Sequence, residues 1–297
     1  MELSDFFRPI LLSLGRYALM LLLSYFLAWA TLPILMKMIM NSGFYKLNYQ
    51  GEQIPVSGGL VFIALLPIIT GLGLLLGAAS YTSINSFLFL TVIFGMGFMG
   101  FLDDQLGNHD VKGFRGHLTA LIKERKLTTG GFKLLFGAII AMVFSIGAAK
   151  LTKGNWLFLS LVLDFLLICL AANTINIFDL RPGRAGKVYI LGFVLIIIFS
   201  KQFENYLGLF LPILAIMLVY LPYDLRAKVM MGDLGSNLLG ASLGMMMAWM
   251  FSDFGKLIAV LLLLVIQLLA EKYSFSEIIN KHRWLKSLDQ LGRGKEN

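Results

Sequence analysis

Four aspartates are the residues of this sequence best suited to chemistry. Asp103 and Asp104 are adjacent at the end of one apolar run, Asp179 follows another run, and Asp233 precedes a third. A pair of carboxylates beside further acidic loops suits a hard cation such as Mg²⁺, which takes one or two carboxylates together with substrate phosphates. The pattern favours metal-assisted phosphate chemistry. The alternative is that these acids cap helix ends.

The segments that carry these aspartates must be membrane-spanning helices. The 297 residues are 58% hydrophobic and only 14% charged, with a mean hydropathy of +0.80, whereas soluble domains are about one-quarter charged. The apolar runs are continuous rather than alternating, which favours helices over a barrel. We predict an all-α polytopic bundle (1–273) and a basic tail (274–297). The nine predicted spans are 10–36, 58–79, 85–102, 132–149, 155–175, 187–200, 206–222, 234–251 and 256–272.

The basic residues predict how the chain crosses the membrane. With nine spans, 19 of the 25 Lys and Arg residues fall on one side, and basic loops face the cytoplasm. The amino terminus is then outside, the carboxyl terminus is cytoplasmic, and all the aspartate clusters lie on the cytoplasmic face of the plasma membrane. This asymmetry explains the net charge of +8 without a nucleic-acid partner. The basic loop between Asp104 and Lys133 could hold phosphate.

Four motifs in a fixed order carry a family resemblance. They are Ile-Pro-Val-Ser-Gly-Gly (54–59), Phe-Leu-Asp-Asp (101–104), Asn-Thr-Ile-Asn-Ile-Phe-Asp (173–179) and Ala-Lys-Val-Met-Met-Gly-Asp-Leu-Gly-Ser (227–236). Each motif is weak alone, but the set at the cytoplasmic ends of spans is specific. Over roughly residues 15–272 the chain resembles the polyprenyl-phosphate N-acetylhexosamine-1-phosphate transferase family.

The resemblance implies a Mg²⁺-dependent transfer of a sugar-1-phosphate from a nucleotide sugar, typically UDP-linked, to polyprenyl phosphate in the membrane. It places Asp103 and Asp104 near the acceptor phosphate, one of them as a base. Asp233 matches the metal-binding aspartate, with Asp104 as a second expected ligand. The expected substrate-binding residues are Asn173, Asn176, Asp179 and Lys133. As a possible assembly of the protein, we consider a homodimer.

The sequence departs from the family pattern after Asp179. Pro182 stands where a second aspartate is usual, and Arg181 and Arg184 flank it. Arginine binds phosphate through two parallel hydrogen bonds, so these residues are candidates for a donor clamp. Their alternative role is to anchor the topology. The family's histidine-rich loop is absent, and His282 with Arg283 is the only stand-in.

Two other features bear on function. Asp164 lies within a predicted span, where an acid is either functional or bonded to a neighbouring helix. The tail has a capping-box pattern at Ser274 and Glu277 and spaced apolar residues, which predict an interfacial helix; an ordinary surface tail is the alternative.

Besides a transferase, we consider a non-catalytic polyprenyl-phosphate-binding relative and a membrane transporter. A CDP-alcohol phosphotransferase is disfavoured because that class would have several spaced aspartates on two neighbouring helices, whereas this sequence has one adjacent aspartate pair.

Overall fold

The protein is a bundle of helices. A computed structural model describes residues 3–76, 82–107, 128–149, 157–200 and 203–293. In chain order, the helices of these ranges are α1 (Leu3–Asn41), α2 (Leu60–Leu75), α3 (Ser83–Leu106), α4 (Thr129–Ala149), α5 (Leu157–Phe178), α6 (Arg184–Phe199), α7 (Leu207–Leu225), α8 (Gly232–Met250), α9 (Asp253–Lys272), α10 (Phe275–Lys281) and α11 (Arg283–Gln290), with a 3-10 turn at Phe203–Asn205. The predicted all-α class is confirmed.

Helices α1 to α9 coincide in order with the nine predicted spans. Six of them are long and apolar enough to cross a membrane: α1 over Leu14–Asn41, α3, α4, α5, α7 and α9. Helix α2 is apolar but has only 16 residues, and α6 has the same length, as the short sixth span predicted. The chain is therefore a polytopic membrane protein. The count of nine crossings and the sides of the two termini stay predictions.

Helix α8 lies at the centre of the bundle. All its residues from Leu234 to Met250 are buried, and it packs mainly against α3 and α5. Gly240 and Gly244 face the backbone of α5, where a β-carbon would collide with Ala171 or Ile168. Small residues spaced by four let two helix backbones approach closely. A central helix of this kind places its first turn in the middle of the bundle, against the ends of its neighbours.

A short antiparallel hairpin connects α1 to α2. Its strands are β1 (Tyr45–Leu47) and β2 (Gln53–Pro55), with Lys46 opposite Ile54. The segment after β2 is hydrogen-bonded to the segment before α8, through Met230 N–H to Pro55 O at 2.8 Å and Gly58 N–H to Met230 O at 2.9 Å. The hairpin is thereby held against the amino-terminal end of α8.

Several described helices extend beyond the predicted spans, and the tail differs from its prediction. Helix α1 continues to Asn41, and α5 continues to Phe178, so the Asn173 motif is helical rather than a loop. The tail forms two short helices that meet at His282 instead of one continuous helix. Ser274 caps the first of them by accepting the Glu277 N–H at 3.4 Å. Binding of this tail to the membrane interface stays a prediction.

Candidate active site

Asp104 caps the amino terminus of α8 although it belongs to α3. Its carboxylate accepts the backbone N–H groups of Asp233 at 3.0 Å and Leu234 at 3.2 Å. The side chain is 4% exposed and also accepts the Ser57 hydroxyl at 3.2 Å. The first N–H groups of a helix lack partners within the helix, and a carboxylate there is favourable to the helix dipole. Asp104 therefore has a complete structural role.

Backbone geometry explains why this cap can form. Gly232 has a φ of +74°, a conformation that L side chains rarely adopt, and a β-carbon there would collide with the Asp104 carboxylate. Gly100, one turn earlier than Asp104, would likewise collide with the Asp233 backbone if it carried a side chain. The two glycines thus allow α3 to approach the start of α8. Ser57 also has a positive φ, of 68°, and is fully buried, which marks it as a strained residue beside the site.

Asp103, Lys133 and Asp233 meet beside this cap. The Lys133 ammonium forms an ion pair with Asp233 and lies 3.4 Å from Asp103 Oδ2. The Asp103 carboxyl is also within hydrogen-bonding reach of Asp233. Both acids are partly accessible, with side chains 23% and 27% exposed, in contrast to Asp104. The structure brings these three predicted site residues together from α3, α4 and α8.

A polar cleft of about 190 Å³ opens next to Asp233. The hairpin contributes Lys46 and Tyr49 to its wall, and the turn after α5 contributes Asp179 and Arg181. The Arg181 guanidinium lies over the Tyr49 ring, 4.3 Å from its centroid, a favourable cation–π contact. Lys46 Nζ lies 3.8 Å from Asp104 Oδ1. The cleft combines positive groups with acids, as a site for a phosphate-bearing molecule and a cation would.

Sequence reasoning missed two charged residues of the cleft, Asp224 and Lys46. Asp224 ends α7 and is 4% exposed, and its carboxylate accepts the Gly183 N–H at 2.9 Å. Its position at the end of an apolar run, on the membrane face predicted for Asp179, is the same signal that identified Asp179. Burial and the carboxylates of Asp224, Asp233 and Asp104 raise the pKa of Asp179 well above its usual range. This acid is poorly compensated by the protein, which is typical of a ligand site.

Lys133 lines two mainly apolar cavities. One lies between α3, α4 and α5 and is lined by Met96, Gly137 and Asn237. Another, of about 240 Å³, has Leu102 and Phe132 in its wall, with Asp103 and Lys133 also lining it. The ion pair of Lys133 and Asp233 therefore stands where a polar cleft and apolar cavities meet.

Three more of the predicted substrate-binding residues have protein partners. Asn173 is hydrogen-bonded to Gln267 of α9, and Asn176 accepts the Ser236 hydroxyl at 3.1 Å. Arg184 does not line the cleft; it is 4% exposed and bound to Asp289 of the tail. Its guanidinium is thus already paired with a carboxylate of the protein. The basic loop before α4 falls at 108–127, outside the described residues.

The carboxylates fit a hard cation only in part. Within the described ranges, no three His, Cys, Asp or Glu side chains converge as a complete metal site. Asp103 and Asp233 nevertheless place two oxygen ligands side by side, and Mg²⁺ commonly takes one or two carboxylates and completes its shell with substrate phosphate and water. Lys133 already supplies one positive charge there. Asp104 is a weaker ligand candidate because its oxygens are engaged by α8 and Ser57.

The intramembrane acid Asp164 has a structural partner. Lys256 Nζ lies 2.7 Å from its Oδ1, and both side chains are at most 5% exposed. Lys256 also donates to the Ser160 hydroxyl at 3.0 Å. A buried charge is retained when it is paired and hydrogen-bonded. This pair joins α5 to α9, and it explains Asp164 without transport chemistry.

Comparison with known proteins agrees with this arrangement. The sequence model of glycosyl transferase family 4 matches residues 86–251. A phospho-N-acetylmuramoyl-pentapeptide-transferase from Fervidobacterium nodosum is 32% identical over 65% of this chain and 58% of its own length. Proteins of the same name from Thermotoga neapolitana (28% identity, 68% of this chain and 63% of that protein) and Staphylococcus aureus (27%, 75% and 72%) are also similar.

The matched part of the chain spans less than two-thirds of the Fervidobacterium and Thermotoga relatives. The family match includes Asp103 of α3, Lys133 of α4, Asp179 in the turn after α5, and Asp233 of α8. It covers more than half of the sequence and includes three of the four motifs, since the motif at 54–59 lies before it. The chain belongs to glycosyl transferase family 4, the polyprenyl-phosphate N-acetylhexosamine-1-phosphate transferase family.

Proposed function

We propose that the protein transfers a sugar-1-phosphate of the N-acetylhexosamine class from a UDP-linked sugar to polyprenyl phosphate for cell-envelope glycan synthesis. The observation that carries this proposal is the Lys133 ammonium between Asp103 and Asp233, at the boundary between a polar cleft and apolar cavities. A water-soluble donor fits the first space and a lipid phosphate fits the second. By the basic-residue asymmetry, this site faces the cytoplasm.

The reaction forms one phosphorus–oxygen bond and breaks another. An oxygen of the polyprenyl phosphate attacks the sugar-bearing phosphorus of the donor, and the bond from that phosphorus to the bridging oxygen breaks. The products are a polyprenyl-diphosphate sugar and the nucleoside monophosphate, which leaves with the bridging oxygen. A phosphate monoester has its second pKa near 6 and is mostly ionised at neutral pH. Positioning two anions is therefore a larger task than removing a proton.

The residues of the cleft and of the adjoining cavities suit this task. Lys133 would hold the acceptor phosphate, while Lys46 and Arg181 would bind donor phosphates from the opposite wall. Asp103 and Asp233 would hold Mg²⁺, which when bound offsets charge on the diphosphate and the leaving oxygen. Asp104 keeps the start of α8 in place and so fixes the position of Asp233. This division differs from the expectation that Asp104 is itself a ligand.

Two alternative functions have less support. A transporter would need uncompensated polar groups near the membrane centre, whereas Asp164 is paired with Lys256. A non-catalytic relative would need the acids for structure alone. That explanation suffices for Asp104, which caps α8. It does not suffice for Asp103 and Asp233, whose partly exposed carboxylates have Lys133 as a counter-charge and face the cavities.

The direct experiment uses purified protein in lipid with Mg²⁺, polyprenyl phosphate and a panel of nucleotide sugars. We expect release of a nucleoside monophosphate only when lipid phosphate and a suitable donor are both present. The Asp233→Asn variant should insert normally and lose this activity. Glu271→Gln, which neutralises an exposed carboxylate outside the cleft, is the matched control and should retain it. Release without lipid phosphate would contradict the proposed transfer.

A further inference from the structure

The carboxyl-terminal tail is attached to the turn that forms one wall of the cleft. Asp289 of α11 receives two parallel hydrogen bonds from Arg184, each 2.8 Å long. Arg293 donates to Asp289 Oδ1 and to the backbone carbonyl of Pro182, both at 2.8 Å. Lys187 donates to the carbonyl oxygen of Asp289 at 2.6 Å. The residues that follow α9 are thus joined to the loop where the sequence departs from the family.

This attachment is buried, and two guanidinium groups share one carboxylate in it. The side chains of Arg184, Asp289 and Arg293 are only 5%, 9% and 7% exposed. Burial alone would raise the pKa of Asp289, but the two guanidinium groups hold it below its usual range. Paired, charge-assisted hydrogen bonds with fixed geometry are stronger than exposed ion pairs. The contact is therefore a specific one and differs from a loose association of a basic tail.

The turn has three independent supports. Asp224 of α7 accepts the N–H of Gly183, Arg293 of the tail donates to Pro182 O, and Tyr49 of the hairpin lies under Arg181. Each support comes from a different part of the chain. Arg181 immediately precedes the residue held by the tail, so a shift of Pro182 would move the Arg181 backbone directly. The position of Arg181 in the cleft then depends on the tail.

We infer that the tail is a structural part of the donor site, in which Asp289 and Arg293 are positioning residues that hold Pro182 and thereby orient Arg181 toward the donor phosphates. This inference rests on the proposed function for the identity of the donor. Pro182 stands in this turn where the family resemblance predicts a second aspartate. The carboxylate of Asp224 and the tail together fix the altered turn.

The test compares Asp289→Asn and Arg293→Ala in the full chain with the matched control Lys286→Gln, which removes one charge from an exposed position of the same helix. For the two test variants we expect the KM for the donor to rise about tenfold to a hundredfold, the loss typical of a charge-assisted contact. The kcat and the KM for polyprenyl phosphate should stay within about twofold. Lys286→Gln should match the wild type in all three quantities.

Hydrogen–deuterium exchange gives a readout that does not depend on activity. In both test variants, exchange in segment 179–187 should be at least about tenfold faster, because local opening of this turn becomes easier. Exchange in α3 and α8 should not change, which separates loss of the tail contact from general unfolding. Arg293→Lys keeps the charge without the planar fork and should give an intermediate result in both assays.

Two results would overturn the inference. If exchange in 179–187 is unchanged in the variants, the tail does not hold the turn. If exchange rises but the donor KM does not, the turn does not orient Arg181 for the donor. Failure of the proposed function looks different: the wild-type protein would then use no nucleotide sugar, while the exchange measurement would still decide whether the tail supports the turn.

Discussion

Replacing each of the adjacent aspartates with alanine should separate a structural acid from a catalytic one. Asp104→Ala removes the acceptor for the N–H groups of Asp233 and Leu234. A buried donor left without a partner costs about 1–3 kcal/mol, and loss of a helix cap costs about 0.5–2 kcal/mol. We therefore expect a loss of about 2–4 kcal/mol in the free energy of unfolding. Asp103→Ala leaves this cap intact and should change stability by less than about 1 kcal/mol.

The assay is thermal unfolding of the purified variants in the same lipid or detergent, paired with donor turnover. Asp104→Ala should lower the Tm by roughly 5–10 °C and reduce turnover through the displaced Asp233. Asp104→Asn, which keeps one carbonyl oxygen, should lie between it and the wild type. Asp103→Ala should have nearly the Tm of the wild type and still lose turnover. A normal Tm for Asp104→Ala with selective loss of turnover would refute the capping role and return Asp104 to the catalytic group.

Three further predictions follow from buried charges and from the cleft. Asp164→Asn leaves Lys256 buried without its counter-charge and should destabilise the protein by about 3–5 kcal/mol, whereas Asp164→Leu combined with Lys256→Met should restore most of the Tm. Arg181→Ala should raise the donor KM by about one to two powers of ten, and Arg181→Lys should raise it less. Asp179→Asn should raise the Tm at pH 7 while reducing donor use, because its raised pKa shows that the charged form is unfavourable in the fold.

Each of these three predictions has a result that would contradict it or a pH dependence that tests it. For the ion pair, a double variant no more stable than Asp164→Asn would show that something other than the unpaired Lys256 causes the loss. For Arg181, an unchanged donor KM in the alanine variant would reduce this residue to a topology anchor. For Asp179, the sign is fixed: a group with a raised pKa destabilises the fold above its unfolded pKa, and this cost disappears at acid pH. The Tm difference between wild type and Asp179→Asn should therefore shrink as the pH falls toward 4.

The sequence predicted that the site residues converge, because the ends of apolar runs show which residues lie at the same membrane face. Asp103, Lys133 and Asp233 lie at the same ends of separate apolar runs, so a shared membrane face brings them to one level. Asp224 satisfies the same rule and could have been identified in this way. The order of nine apolar helices followed from run length alone.

The remaining features depend on contacts that no local pattern reveals. The capping role of Asp104 requires the positive φ of Gly232 and the close approach of α3 at Gly100. The sequence alone makes Arg184 a candidate topology anchor or phosphate clamp. In the structure it is hydrogen-bonded to Asp289, more than 100 positions later. The hairpin strands have three residues each, too few for a periodic signal. These are tertiary features, and they decide which of the predicted residues remain available to a substrate.

The most direct test of the central claim is Mg²⁺-dependent release of nucleoside monophosphate from a nucleotide sugar by wild-type protein and by Asp233→Asn. With polyprenyl phosphate present, the wild type should release nucleoside monophosphate and form a polyprenyl-diphosphate sugar in equal amounts. The folded Asp233→Asn variant should be slower by at least about a hundredfold, because a cation ligand beside the reacting phosphates is lost. Equal rates for the two proteins at the same Mg²⁺ concentration would contradict the account.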